Sequence, residues 1–359
     1  MSNTLLSQLQ FSCGTKMKNR FMLAPMTNTQ SHEDGTLSDD EYKWLVMRAK
    51  GGFGLTMTCA SHVQAIGKGF PGQLGIFSDQ HIEGHKRLVD GIKAYDSLAV
   101  IQLHHAGMRS PKEVIQQKSV CPSESEKHNA RALSLTEVHQ LRDDFITAAV
   151  RSQKAGYDGV EVHGAHGYIL TQFLSSQINQ RQDGYGGSLA KRARLLFEIV
   201  DGIRAACGPK FLLGVRLSPE RFGMQLHEVK IISQQLIDAH NIDFIDLSLW
   251  DVFKLPEEAV HQNKTLLEHF AELDFKKTKW TVAGKINTGE DVAKILNAHV
   301  DFVSIGRSAI LHHDFPKQVI DKPNFTPTEL PVSETYLQNE GLGPDFLTYM
   351  KRWPNFVVE

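Results

Sequence analysis

Residues 159–188 read GVEVHGAHGYILTQFLSSQINQRQDGYGGS, and the opening of this stretch decides the fold. Val160 and Val162 alternate with Glu161 and His163, the period of a strand with one apolar and one polar face. The habit recurs. Ile101 and Leu103 alternate with Gln102 and His104, Val215 and Leu217 with Arg216 and Ser218, and Ile245 and Leu247 with Asp246 and Ser248. With the apolar sets packed against helices, the polar sets face one another inside a closed barrel. That interior is too dry for free charges, because an unpaired buried charge costs several kcal/mol. Glu161, His163, Arg216 and Asp246 must therefore pair, as in an Arg216–Glu161 ion pair, or meet a polar ligand.

Eight short apolar segments carry this pattern, at 21–26, 54–61, 99–106, 159–166, 211–218, 244–250, 281–286 and 302–308, with helix-forming stretches between them. Strands alternating with helices imply parallel pairing through right-handed crossovers, and eight such units close on themselves. The expectation is an α/β chain forming a single (β/α)₈ TIM barrel, one domain over 1–359, with extended loops at its C-terminal face. Residues 11–20, turning at Cys13-Gly14-Thr15, read as a hairpin within an N-terminal segment 1–20 that plugs the barrel bottom. Helix signals agree: Ser134 with Glu137 makes a capping box, Ser188 opens a helix closed by Gly208, and Thr288 with Asp291 opens another. Long connections at 27–40, 107–133 and 251–263 read as pocket walls or lids. The tail 321–359, rich in proline and polar residues until Phe346, is expected to wrap the surface or reach a neighbouring subunit.

The composition excludes several classes. A formal net charge of -2 without long charge runs leaves no footprint for nucleic acid or an anionic membrane surface. Hydrophobic residues make up 41% of the 359 positions, yet no apolar run approaches the roughly 20 residues of a membrane span. The N-terminus, MSNTLLSQLQ, has neither the basic region nor the apolar core of a secretory signal, which points to the cytoplasm. Cys13, Cys59, Cys121 and Cys207 form no CxxC pair, so buried reduced thiols are expected rather than a disulfide framework or a metal knuckle. The partner is then a small molecule. A homo-oligomer stays open.

The chemistry lies at the fourth segment. If the chain turns helically after the strand, His163 and His166 lie on one side, and Tyr168 follows. Imidazoles can donate to an oxygen gaining negative charge, and a tyrosine hydroxyl can give a proton to carbon. A His-x-x-His pair could instead hold zinc, but it needs a third ligand such as His104 or Asp246, and no metal is expected. Gly284 in the seventh segment and Gly306-Arg307 at the end of the eighth stand where barrels bind phosphate; the plainer reading of the latter is a packing glycine beside a surface arginine. With phosphate there, the barrel mouth holds a phosphorylated cofactor whose head group lies over Gln102, Arg216 and the two histidines.

These residues carry a resemblance. In order along the chain stand Asn19-Arg20, Ala24-Pro25-Met26, Gln102 with His105-Ala106-Gly107, EVHGAHGY at 161–168, RQDGYGGS at 181–188, Arg216, and SIGRS at 304–308. Over about 11–316 the chain resembles the old yellow enzymes, FMN-dependent NAD(P)H oxidoreductases that reduce activated alkenes. The resemblance implies that Ala24, Pro25, Met26, Thr27, Ala60, Gln102, Arg216, Gly284, Gly306 and Arg307 bind FMN. It implies that His163 and His166 hold the substrate's electron-withdrawing group, that Tyr168 is the proton donor, and that NADPH or NADH is the transient reductant. One branch of the family has cysteine where this chain has Thr27, so its thiol-based tuning is not expected here. Longer members add an iron–sulfur cluster and a second nucleotide-binding domain, and neither is expected here. Some short members insert a C-terminal arginine into a partner's pocket, and Arg352 is the residue that would do so; otherwise it is a surface arginine. The readings from other classes are a metal-dependent barrel hydrolase and a flavin-binding barrel without turnover.

Overall fold

A computed structural model describes residues 5–358. Eight parallel strands form a closed barrel: β1 (Phe21–Leu23), β2 (Leu55–His62), β3 (Leu98–His104), β4 (Gly159–Gly164), β5 (Leu212–Leu217), β6 (Phe244–Ser248), β7 (Lys279–Ala283) and β8 (Phe302–Ile305). Each pairs with its sequence neighbour, and β8 returns to β1 through Val303 opposite Phe21. All eight expected segments are strands, and the architecture is the (β/α)₈ barrel. The intervening helices include α1 (Asp39–Lys50), α2 (Ile82–Lys93), α3 (Leu135–Lys154), α4 (Leu189–Cys207) and α5 (Leu226–Asp238). Ser134 and Glu137 form the expected capping box on α3, and Gly208 closes α4 at φ 82°.

Strand alternation separates two cores. Ile101, Leu103, Val160, Val162, Val215, Leu217, Ile245 and Leu247 belong to the large cluster between barrel and helices. A smaller cluster fills the barrel floor with Met22, Leu55, Met57, Val100, Leu212, Phe244 and Phe302, most of them at strand starts. The hairpin of Leu9–Gln10 with Lys16–Met17 closes that floor from below. Its Phe11 ring stands 5.9 Å from Phe244 and 5.8 Å from Phe302. The floor is tightly filled: a Cβ at Gly214 would meet the Phe244 ring at 2.1 Å. Above it comes a buried polar layer of Gln102, Glu161, Arg216, Asp246, Thr281 and Ser304. The interior thus changes from apolar to polar toward the C-terminal strand ends, where barrels keep their active sites.

The 107–133 connection carries a short helix, Lys112–Ile115, and two paired strands, Ser119–Cys121 and Ala130–Ala132. The tail is more than a surface wrap. Its helices Glu334–Asn339 and Pro344–Met350 bury Leu337, Phe346 and Met350 in the main core, with Phe346 edge-on to Trp44 of α1 at 5.4 Å. Gly343 N–H donates to Gln30 Oε1 at 2.8 Å, tying the tail to the loop after β1. Cys59 and Cys121 are buried, but Cys13 and Cys207 are only partly so; all four are free thiols. No helix among the described residues is long and apolar enough to cross a membrane.

Candidate active site

The barrel register places the central charges side by side: Arg216 lies opposite His163 on one flank and Asp246 on the other, and Gln102 lies opposite Glu161. Arg216 Nε is 3.1 Å from Asp246 Oδ2, and Gln102 Nε2 donates to Glu161 Oε1 at 2.7 Å. The ion pair is therefore Arg216–Asp246, not Arg216–Glu161. Glu161 sits one register step below the arginine and meets the Gln102 amide instead. Burial and the neighbouring Asp246 charge push the Glu161 carboxyl upward, and the Arg216 charge only partly offsets them. Burial likewise raises Asp246. Two buried carboxyls beside one guanidinium then titrate as a unit.

His163 lies at the end of β4, and the following turn differs from the helical one expected. His166 and Gly167 take left-handed φ values of 61° and 73°, and the helix Ile169–Leu174 starts only after Tyr168. The imidazoles still meet, with His163 Nε2 3.2 Å from His166 Nδ1. Ser218 Oγ accepts from the His166 N–H at 2.9 Å, and Ser248 Oγ is 2.7 Å from His166 Nε2. His163 Nδ1 and His104 Nε2 are buried without a partner. Burial, then neighbouring imidazoles and the Arg109 charge, hold His104 and His163 well below the usual histidine range, with Arg216 adding to the effect on His163; burial and the two arginines do the same for His166. All three are neutral near pH 7 and act as hydrogen-bonding groups, not acids.

Tyr168 stands among them, its ring 4.3 Å from His104 and 5.2 Å from His163. Burial raises its hydroxyl above the usual tyrosine range, with Arg109 pulling the other way. It therefore keeps its proton at neutral pH, as a donor must. Its position is anchored from two sides: Ile169 N–H donates to the His105 carbonyl at 3.0 Å, and Gln172 Nε2 to those of Ala106 and Gly167 at 3.2 and 2.9 Å.

The other expected residues ring the same strand ends. Ala24 N–H donates to the Ile305 carbonyl at 3.0 Å, and Pro25, Met26 and Thr27 continue, partly exposed, from β1. A Cβ at Gly306 would find only Met26 Sδ, at 3.7 Å, so the segments after β1 and β8 adjoin beside open space. Gly306 caps the helix Arg307–Leu311, and Arg307 is exposed. Ala60 lies where β2 slips register against β3, its carbonyl accepting from Gln73 Nε2 at 2.7 Å. Gly284 falls just past β7, not within it, at φ 146°, and a Cβ there would meet the Trp250 carbonyl carbon at 2.7 Å. Arg352 is exposed and lines a cleft with Thr29, His32 and Tyr349 of its own chain.

The residues fit a flavin by their own chemistry. Arg216 Nη1, Glu161 Oε2 and Ser304 Oγ are buried without hydrogen-bond partners, and buried polar groups left so call for a polar ligand. A planar ring edged with donors and acceptors would satisfy them. For the zinc reading the fit is poor. His163 and His166 bond each other, Asp246 pairs with Arg216, and the cluster of three metal-competent groups among the described residues, His227, Glu258 and His261, lies on other elements.

Sequence reasoning singled out neither Arg109 nor Trp250. Arg109 holds the His166 carbonyl and lies over the Tyr168 ring at 4.7 Å; Trp250 stands edge-on to His166 at 6.2 Å. Arg109 ends the short 3-10 turn Gly107–Arg109 and Trp250 lies two residues past β6, so strand periodicity marked neither. His104 and Ser248 did carry a signal, the inward phase of β3 and β6.

Fold and site define a (β/α)₈ barrel protein with a buried polar cluster at the C-terminal ends of its strands. The chain belongs to the NADH:flavin oxidoreductase / NADH oxidase family, whose sequence profile matches residues 7–324. It is similar to the probable NADH-dependent flavin oxidoreductase YqiG of Bacillus subtilis, at 34% identity over 88% of this chain and 87% of the relative. Similarity to the NADPH dehydrogenase of Bacillus pumilus is 33% over 86% of this chain and 92% of that one. Among solved structures, the old yellow enzyme homologue from Zymomonas mobilis superposes with a TM-score of 0.81 at 26% identity, covering 96% of this chain and 98% of the other. The protein is thus an old yellow enzyme relative, an oxidoreductase using FMN with a reduced nicotinamide nucleotide.

Proposed function

We propose that residues 1–359 act as one FMN-binding domain that reduces activated alkenes, α,β-unsaturated carbonyl or nitro compounds, in the cytoplasm. When bound, FMN supplies the redox chemistry, accepting hydride from NAD(P)H and delivering it to the alkene β-carbon. The single observation that carries this reading is the convergence of the His163–His166 pair and Tyr168, with His163 opposite Arg216 in the barrel register.

Each residue has a derived task. Arg216 offers unpaired N–H groups to a ring that gains negative charge on reduction, and Asp246 orients the guanidinium. Gln102 presents both donor and acceptor to the ring's pyrimidine edge. Ala24, Pro25, Met26, Thr27 and Ala60 line the cradle, while Gly284, Gly306 and Arg307 take the phosphate. His163 donates to the substrate oxygen and stabilises the charge that develops there, and His166 fixes the tautomer that lets it do so. Their bond to each other permits this with one arrangement of protons: His166 Nδ1–H donating to His163 Nε2 leaves the His163 Nδ1–H free for the substrate. Tyr168 then gives its proton to the α-carbon.

The test is an absorption spectrum of the purified protein followed by anaerobic NADPH or NADH and then an enone. Visible flavin bands that bleach with the nucleotide and return with the enone are expected. A protein that binds no FMN overturns the reading, and one that bleaches but is not reoxidised by any activated alkene overturns its substrate class.

A further inference from the structure

Beside Tyr168 opens a cleft of about 830 Å³ whose lining includes Arg109, Gly167 and Phe222 on the active-site side and Glu124, Lys127 and His128 from the loop between the strands Ser119–Cys121 and Ala130–Ala132. Arg109 is placed with unusual care for an exposed cation. Its turn leaves β3 through Gly107, whose left-handed φ of 62° and close approach to Gln172 (a Cβ would lie 2.3 Å from Oε1) exclude a side chain. Met108 N–H donates to the same Gln172 Oε1 at 3.1 Å. The glutamine that holds the segment bearing Tyr168 therefore also holds the one bearing Arg109.

The guanidinium donates to the His166 carbonyl and lies against the rings of Tyr168, at 4.7 Å, and Phe222, at 5.9 Å. A guanidinium has five N–H donors in a fork that matches a carboxylate or phosphate. No carboxylate among the described residues pairs with this one. Glu124, the acidic group of the lining, is 3.6 Å from Lys118, while Lys127 and His128 have no charged partner among the described residues. A fixed cation, with Lys127 elsewhere on the same lining, borders Tyr168.

We propose that this cleft seats an anionic group, a carboxylate or phosphate, on the small molecule whose reacting end lies at His163, His166 and Tyr168. Arg109 grips the anion, and Lys127 attracts it at longer range. The proposal rests on the functional reading above and extends it to substrate class. Two molecules can bring such an anion: an alkene bearing a remote carboxylate, or the nicotinamide nucleotide with its phosphates.

The experiment uses the FMN-loaded full chain. Para-hydroxyphenyl carboxylic acids of increasing tether length, and their methyl esters, are titrated while flavin absorption is followed. Flavin reduction by NADPH, NADH and the phosphate-free reduced nicotinamide riboside is measured by rapid mixing over a concentration series. If the substrate brings the anion, the wild type prefers an acid to its ester by about tenfold. That preference shrinks with added salt, vanishes in Arg109→Gln and survives in part in Arg109→Lys, while ester affinity holds. If the nucleotide brings it, acids and esters bind alike and it is the preference for the phosphate-bearing nucleotides over the phosphate-free riboside that Arg109→Gln removes. The proposal is overturned if both preferences are unchanged in Arg109→Gln, or if neither exists in the wild type. Should Arg109→Gln not hold FMN, Lys127→Ala and the salt dependence of the wild type decide, and salt-independent preferences sink the idea. A wild type in which neither phenols nor nucleotides perturb the flavin instead defeats the underlying functional reading.

Discussion

At the scale of single residues, the site works through protonation states that burial sets. Tyr168 keeps its proton because desolvation outweighs the pull of Arg109, so the hydroxyl can donate throughout the neutral range. Tyr168→Phe removes the proton but keeps the ring contacts to His104 and His163. We expect it to slow enone-dependent reoxidation by about a hundredfold or more while leaving reduction by NAD(P)H nearly unchanged; stopped-flow measurement of the two half-reactions decides, and equal slowing would reduce Tyr168 to a structural part. Glu161 yields a prediction about stability. Its carboxyl is raised in the folded state from an ordinary value near 4.5, so above that pH the unfolded chain binds fewer protons than the folded one and stability falls as pH rises. Glu161→Gln keeps an oxygen for the Gln102 amide but cannot ionise. Its melting temperature should therefore decline less than that of the wild type as pH rises from the ordinary carboxyl range into the alkaline range. Parallel declines in the two proteins would show that Glu161 does not carry the shift.

At the scale of elements, function depends on how strand ends hand over to loops. Gly284 leaves β7 with φ 146° against the backbone of Trp250, and Val252 N–H donates to the Gly284 carbonyl at 3.2 Å. The seventh and sixth strand exits are thus clamped together, and Trp250 is held beside His166. Gly284→Ala combines a strained φ with a clash against backbone, for which we expect a cost of about 1–3 kcal/mol in thermal unfolding. It should also weaken FMN retention in a dilution assay. Full stability with full flavin occupancy would show that the clamp can relax. The helices between the strands were largely readable in advance, because Ser134 with Glu137 and Thr288 with Asp291 are local signals that act within one turn. The turn after β4 was not: His166 adopts a left-handed conformation that its spacing from His163 does not reveal, held in part by Ser218 from the next strand.

At the scale of the whole molecule, the barrel divides stability from chemistry along its axis. The floor, packed by Phe11, Phe244 and Phe302, lies at the opposite end from the histidines. Phe11→Ala should cost about 3–5 kcal/mol of global stability while flavin reduction well below the melting temperature keeps its wild-type rate. A variant that keeps its stability but loses activity would show that the hairpin acts on the site. The tail belongs to this scale too, since Phe346 and Leu337 join the main core although the surrounding sequence is polar and proline-rich. Its few apolar residues gain burial only once α1 is in place to receive them.

Strand number, the inward polar phase of β3 to β6, the capping boxes and the His163–His166–Tyr168 motif follow from the sequence by itself, because periodicity and short-range spacing are properties of neighbours along the chain. The Arg216–Asp246 pairing, the Gln102–Glu161 bond, the placing of Arg109 over Tyr168 and of Trp250 beside His166, and the burial of the tail were decided only by tertiary structure. Each joins residues from different strands or loops. Barrel closure sets their register and distance, and no periodicity along the chain encodes it.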